Sequence, residues 1–191
     1  EYALKTGKVE NVGVSVKSPN DLKFFKNKIP LINAYQFNFN LIDQRILSND
    51  LIGFLKHSNN IHIARTPLCF GFLTGSVKLE DCLSEDDHRR NWPLKQLEKW
   101  NESVSLFKGI ASSNNLSTTQ LALLFCTSYD FITATIPGIM SVKHAEENSS
   151  VLLKKNLSKE LISQLEQIYK NNNFYDPSLK QKALDDEIKK N

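Results

Sequence analysis

The chain of 191 residues has only three cysteines, one methionine and seven glycines, and nowhere a long apolar run. Each shortage excludes something. Cys69, Cys82 and Cys126 are odd in number, far apart and without a CxxC, which argues against a disulfide or zinc framework and fits reduced thiols, buried as small hydrophobes, in a cytoplasmic protein. No stretch reaches the roughly 20 apolar residues of a membrane span, and the amino end has no signal-peptide pattern. Basic residues number 24 and acidic ones 21, largely interspersed, so the net charge of +3 leaves no footprint for nucleic acid or a membrane surface. Neither a P-loop nor a GxGxxG follows the first apolar segment, which removes two common phosphate-binding designs. The single methionine is Met140, so the chain reads as a piece of something longer.

What is present is ordinary for one α/β domain: 40% hydrophobic and 24% charged residues, enough for a single core. Gly7 stops a last helical turn over residues 1–8. Val9–Val16 alternates as a strand, and Ser18-Pro19-Asn20-Asp21 opens a helix with inner residues Leu22 and Phe25. Leu31–Phe37 is a second strand, with the amides Gln36, Asn38 and Asn40 toward its far end. These either hold the loop locally or face a ligand, since a buried amide without a partner is costly. A helix over 43–57 leads to the strand that begins at Ile61, and Ser76–Pro93 reads as an insertion, a mobile flap or solvated loop. Its Asp86, Asp87 and His88 are consecutive, a spacing that does not converge on one ion in ordinary site geometry, so no metal is expected. Leu97, Trp100, Val104, Phe107 and Ile110 predict one long helix, Ser117–Gln120 is a capping box for the next, and Phe131–Ile136 is the fourth strand. Ser141 and Ser158 start two more helices. From Asn171 the sequence reads as a surface tail, with a short helix near 179–188.

Ligand chemistry gathers at two loops. Arg65 and Thr66 leave the third strand into a segment containing Pro67, Leu68, Gly71, Leu73 and Gly75, where the glycines allow close backbone approach. Arg65 either snorkels out of the sheet or meets a ligand. After the fourth strand, Pro137-Gly138-Ile139-Met140-Ser141 runs into a helix whose free N–H groups suit a phosphate, or is a plain turn. The βα rhythm predicts a parallel sheet, forming either a small open sandwich or half of an eight-stranded barrel.

The segments Gly7-Lys8-Val9, Val12-Gly13-Val14-Ser15, Gln36–Gln44, Ala64–Leu68, Gly71–Gly75, Ile136-Pro137-Gly138 and Glu146-Glu147-Asn148, in that order, resemble the aldo-keto reductases. The resemblance covers about residues 4–170 and corresponds to the second half of that family's barrel, strands five to eight. It implies that Ser15 and Gln36 hold a nicotinamide carboxamide, that Arg65 lies against the nicotinamide ring, and that Thr66 to Gly75 cover the pyrophosphate. Gly138, Ile139, Met140, Ser141, His144, Glu147 and Asn148 would take the adenosine end. Val16, Arg65, Ser76, Met140 and His144 depart from common family residues, which leaves NADP and NAD both open as cofactor.

No residue matches the family's catalytic Asp, Tyr, Lys and His. The expectation is therefore the C-terminal half of a TIM-type (β/α)8 barrel over residues 1–170, with a tail over 171–191. It is read as the cofactor-binding half of an NAD(P)H-dependent oxidoreductase acting on a small carbonyl substrate, without a catalytic residue of its own and inactive alone. A non-catalytic half barrel that binds a nucleotide or a partner is the alternative, and an unrelated small phosphate-binding domain a third. In a half barrel the inward faces of Val12, Val14, Tyr35, Phe37, Ile61, Ile63 and Ile136 lack an opposite wall, so pairing with a missing N-terminal half or with a second copy is expected.

Overall fold

Four strands, β1 (Gly13–Ser15), β2 (Ala34–Asn38), β3 (Ile61–Arg65) and β4 (Ala134–Ile136), lie in chain order as one wholly parallel sheet in the computed structural model, which describes residues 1–176. Side chains alternate between faces along each strand, so the register sorts them into two layers. Val14, Tyr35 and His62 form one row, and Phe37, Ala64 and Thr135 another. Tyr35, Phe37, His62 and Ala64 are all at most 2% exposed, packed into the core. The opposite face carries the rows Gly13–Ala34–Ile61, Ser15–Gln36–Ile63–Ala134 and Asn38–Arg65–Ile136, and none of these residues is buried. One face of the sheet is covered and the other is open.

Tyr35, Phe37 and Val14 therefore face the helices, which corrects their placement on the inward side. Leu31–Phe37 is apolar at both parities, and only the amides at Gln36 and Asn38 mark the open face. Strand β1 is shorter than Val9–Val16, although Val16 still donates to Gln36 O at 2.8 Å. Gly13 sits so close to β2 that a Cβ there would lie 2.9 Å from the Ala34 Cβ.

The helices are α1 (Tyr2–Lys5), α2 (Pro19–Lys28), α3 (Asn49–His57), α4 (Leu94–Ser103), α5 (Ser105–Ser113), α6 (Thr118–Thr127), α7 (Val142–Ser150) and α8 (Lys159–Asn171). Capping chemistry starts four of them. Ser18 and Asp21 form a capping box at α2, Ser117 and Gln120 another at α6, and Ser141 and Ser158 cap α7 and α8. Two expected helices are broken. The 43–57 segment begins with a bridge between Asn40 and Asp43, so α3 starts only after Ser48. The 97–110 helix divides at Val104, where Ser103 Oγ donates to Trp100 O at 2.6 Å and Ser105 Oγ to Glu102 O at 2.7 Å. Such hydroxyls compete with the helix for its own carbonyls.

Trp100, Phe37, Phe39, Phe72, Phe107 and Phe125, each no more than 1% exposed, fill the space between the sheet and the helices. The three cysteines are all free and buried there. Residues 171–173 are exposed, but the segment expected as a surface tail docks at its described end: Phe174 is 4% exposed, and Gln96 donates to its carbonyl at 2.9 Å while accepting from Asp176 N at 2.7 Å. The expected helix near 179–188 lies outside the described residues.

Candidate functional site

The carboxyl ends of the strands carry the unusual backbone. Beyond Arg65, positive φ occurs at Thr66 (52°), Cys69 (44°), Phe70 (55°), Gly71 (93°) and Gly75 (74°). Each non-glycine residue held there costs about 1–2 kcal/mol, so the surroundings must impose the shape. They do so from both ends. Asn40 Nδ2 donates to Thr66 O at 2.9 Å, and Thr66 Oγ1 donates to Asn38 Oδ1 at 2.9 Å. Thr118 Oγ1, at the start of α6, donates to Thr74 O at 2.8 Å. Between these ties Leu68, Cys69, Phe72 and Leu73 are buried anchors. The amides at Asn38 and Asn40 thus hold the loop.

Pro67, Leu68 and Leu73, expected to touch a ligand, are buried and form the floor of the loop, leaving contact to the backbone of their neighbours. Ser15 and Gln36 do meet on the open face, with Ser15 Oγ donating to Gln36 Oε1 at 3.0 Å. Arg65 stands in the same face one row further along, where one terminal nitrogen donates to Val16 O at 2.9 Å. Its Nε is buried and has no hydrogen-bond partner among the described residues. A buried charged donor left unpaired is expensive, so this nitrogen suits an acceptor supplied by a ligand or partner.

The second loop is built by α7. Asn148 Nδ2 donates to Gly138 O at 3.2 Å, Ser141 Oγ accepts from His144 N at 3.2 Å, and Met140 N donates to His144 Nδ1 at 3.3 Å. These bonds turn the chain sharply and push Ile139 (58%), Met140 (88%) and Val142 (75%) into the open. Glu147 is engaged, its Oε1 accepting from Ser117 Oγ at 2.7 Å. The two loops are consequently tied to one point. Ser117 binds Glu147, Thr118 binds Thr74, and Gln120 Nε2 donates to Ser150 Oγ at 2.9 Å. Ser117 and Gln120 read in sequence only as a helix start, and the hydroxyls' second bonds had no local signal.

A further cluster lies beside the first loop. Asp43 is 1% exposed, receives Arg45 in a two-pronged bond (Nε to Oδ1 at 2.8 Å, the terminal nitrogen to Oδ2 at 2.7 Å) and accepts from Tyr175 Oη at 2.9 Å. The Asp43 carboxylate and burial of the guanidinium pull in opposite directions on Arg45, and the carboxylate prevails, raising its pKa further. Burial, reinforced by Asp43, pushes the Tyr175 phenol well up. Asp87, once weighed as a metal ligand, has both oxygens engaged by Arg89.

A hollow of about 650 Å³ lies elsewhere, at the amino-terminal edge of the sheet between Ser58, Asn60, Tyr129, Thr133 and Glu166. A crevice of about 10 Å³ opens at the carboxyl end, beside Val16, Asn38, Asp43 and Arg45. Size is a poor guide here. An open sheet face has no opposing wall to enclose a volume, while the buried unpaired Arg65 Nε and the positive-φ loop lie at the carboxyl end. The phenols nearest the sheet are tied up in the fold. Tyr35 Oη donates to Ile32 O, Tyr129 Oη to Glu166 and Tyr175 Oη to Asp43, so each of these phenols is committed within the fold.

The model of the Aldo/keto reductase family matches residues 1–170. An aldo-keto reductase of Schizosaccharomyces pombe, named for NADP(+), is 32% identical over 158 residues, covering 80% of this chain and 46% of its own length. An L-glyceraldehyde 3-phosphate reductase of Escherichia coli is 29% identical over 179 residues, covering 87% of this chain and 51% of its own. Among solved structures, a glycerol dehydrogenase of Gluconobacter oxydans superposes with a TM-score of 0.71 at 23% identity, covering 92% of this chain and 54% of that one. The chain spans about half the length of the curated relatives it matches.

Proposed function

Because the chain belongs to the aldo/keto reductase family, we propose that it is the cofactor-binding half of an NAD(P)H-dependent carbonyl reductase, corresponding to strands five to eight of an eight-stranded barrel. The observation that carries this reading is the open sheet face, where Ser15 is exposed and Gln36 and Arg65 are half-buried at the carboxyl ends of the strands. Sequential parallel strands with helices against one face only are what half of such a barrel requires. The residues fit the cofactor. Ser15 and Gln36 offer a carboxamide its hydrogen bonds, Arg65 offers a guanidinium beside them, and the 66–75 loop covers the pyrophosphate.

Gly138, Ile139, Met140, Ser141, His144 and Asn148 take the adenosine end, and NADP is favoured by the name of one relative. The bound nicotinamide supplies hydride; this chain's part is to hold the ring and exclude water. An acid must protonate the nascent alkoxide, and it comes from the other half of the barrel. The substrate is a small carbonyl compound.

The test is calorimetric titration of the chain with NADPH and NADH, followed by an aldehyde-reduction assay with and without the family's other barrel half. Cofactor binding, no turnover alone, and turnover on complementation are expected. Binding with no gain on complementation would instead assign a non-catalytic nucleotide-binding module, and turnover by the chain alone would overturn the division of labour.

A further inference from the structure

We infer that Arg89 is a positioning residue for the nucleotide, holding the 66–75 loop in the shape that meets the cofactor's phosphates; this rests on the reading of that loop given above. Phe70 is an aromatic residue held at φ 55°, between Cys69 at 44° and Gly71 at 93°. A bulky side chain does not hold that conformation unaided. The Phe70 carbonyl accepts from an Arg89 terminal nitrogen at 3.3 Å, a bond that reaches across 19 residues from the insertion. The guanidinium also lies 5.9 Å from the Phe72 ring centroid.

Arg89 is itself fixed. Asp87 accepts from its Nε at 3.0 Å through each oxygen, and from its backbone N–H at 2.8 Å, with the two side chains only 17% and 16% exposed. A planar guanidinium pinned on one edge has its remaining donors aimed in one direction. Here that direction is the strained carbonyl. The same stretch adds Trp92, whose ring is 5.8 Å from that of Phe70, and Trp100 of α4 packs beside it, 5.5 Å from Phe70 and 5.0 Å from Trp92. The insertion is therefore a brace for the loop. At Gly71 a Cβ would meet Val77 Cγ2 at 3.2 Å and an Arg89 nitrogen at 3.7 Å, so brace and loop are in direct contact.

The test compares the chain with its Arg89→Met, Arg89→Lys and Asp87→Asn variants, titrated with NADPH and with adenosine 2′-monophosphate, which lacks the pyrophosphate. Trp92 and Trp100, the only two tryptophans, report loop geometry by fluorescence. Arg89→Met is expected to weaken NADPH binding about tenfold, the effect of losing one charge-assisted bond, while adenosine 2′-monophosphate binds as before. Arg89→Lys should recover part of the loss, and Asp87→Asn should fall between.

Equal NADPH affinity in chain and variant would overturn the role of Arg89 while leaving the cofactor-binding reading intact. Equal losses for both ligands would mean general destabilisation, and overturn it too. If the unaltered chain binds no NADPH, the parent reading fails and this inference with it. Should Arg89→Met not fold, the Lys and Asn variants carry the same comparison.

Discussion

At the scale of single residues, buried polar groups decide more than their number suggests. His62 is 1% exposed, its Nδ1 lies 3.0 Å from Phe131 O, and burial lowers its pKa below the ordinary 6.5 despite that carbonyl. The folded chain thus keeps the ring neutral, whereas the unfolded chain takes up a proton first as pH falls. The stabilisation is complete above about pH 6.5 and is lost as pH drops toward the depressed folded value. Urea midpoints measured from pH 7.5 to 5.5 should fall more steeply for the natural chain than for His62→Gln, and identical slopes would refute this. Tyr175 gives a second case. Its hydroxyl donates to the buried Asp43, so Tyr175→Phe should cost about 1–2 kcal/mol in urea unfolding. A true surface tail would show no change.

At the scale of elements, caps and close approaches carry the architecture. Ser117 closes the α6 capping box and also donates to Glu147 of α7. Ser117→Ala should therefore destabilise by about 1–2 kcal/mol, at the upper end for a cap, by thermal or urea unfolding. Ser158→Ala, whose hydroxyl caps α8 within its own first turn, should cost about 1 kcal/mol, and equal losses would show that the bridge to α7 adds nothing. Between strands the constraint is steric. Gly13→Ala places a methyl 2.9 Å from the Ala34 Cβ, so β1 must shift away from β2, at a cost of about 1–3 kcal/mol. Helix starts were legible because a cap is local chemistry, whereas the breaks at Asp43 and Val104 were not. The first depends on a backbone bridge to Asn40, the second on which carbonyls the Ser103 and Ser105 hydroxyls select.

At the scale of the whole molecule, the open face is the dominant feature. Ala34, Ile61, Ile63, Ala134 and Ile136 stand on it half-buried or exposed, and among the described residues β1 and β4 each lack a neighbour on one side. Apolar side chains left in water forgo about 1.5–3 kcal/mol each when large, and free strand edges recruit further strands. Light scattering on the chain should show self-association or tight pairing with the other barrel half, dissociating as the protein unfolds. A stable monomer that unfolds in two states and binds no dye for apolar surface would count against the half barrel.

The sequence by itself determined the βα rhythm, the caps at Ser18, Ser117, Ser141 and Ser158, and the two loops at Thr66–Gly75 and Gly138–Asn148, because each is written in neighbouring residues. It also carried the family, through motifs whose order and spacing survive without coordinates. Only the tertiary structure decided which way the strands face. Period-two alternation leaves parity undetermined in a run such as Leu31–Phe37, and Tyr35 and Phe37 turned toward the helices because aromatic bulk fits there while Gln36 can remain on the accessible face. The ties from Thr118 to Thr74, Gln96 to Phe174 and Arg89 to Phe70 were likewise decided by folding. Hydrogen bonds between residues far apart in the chain depend on which groups the packed core brings within reach, and no local pattern records that.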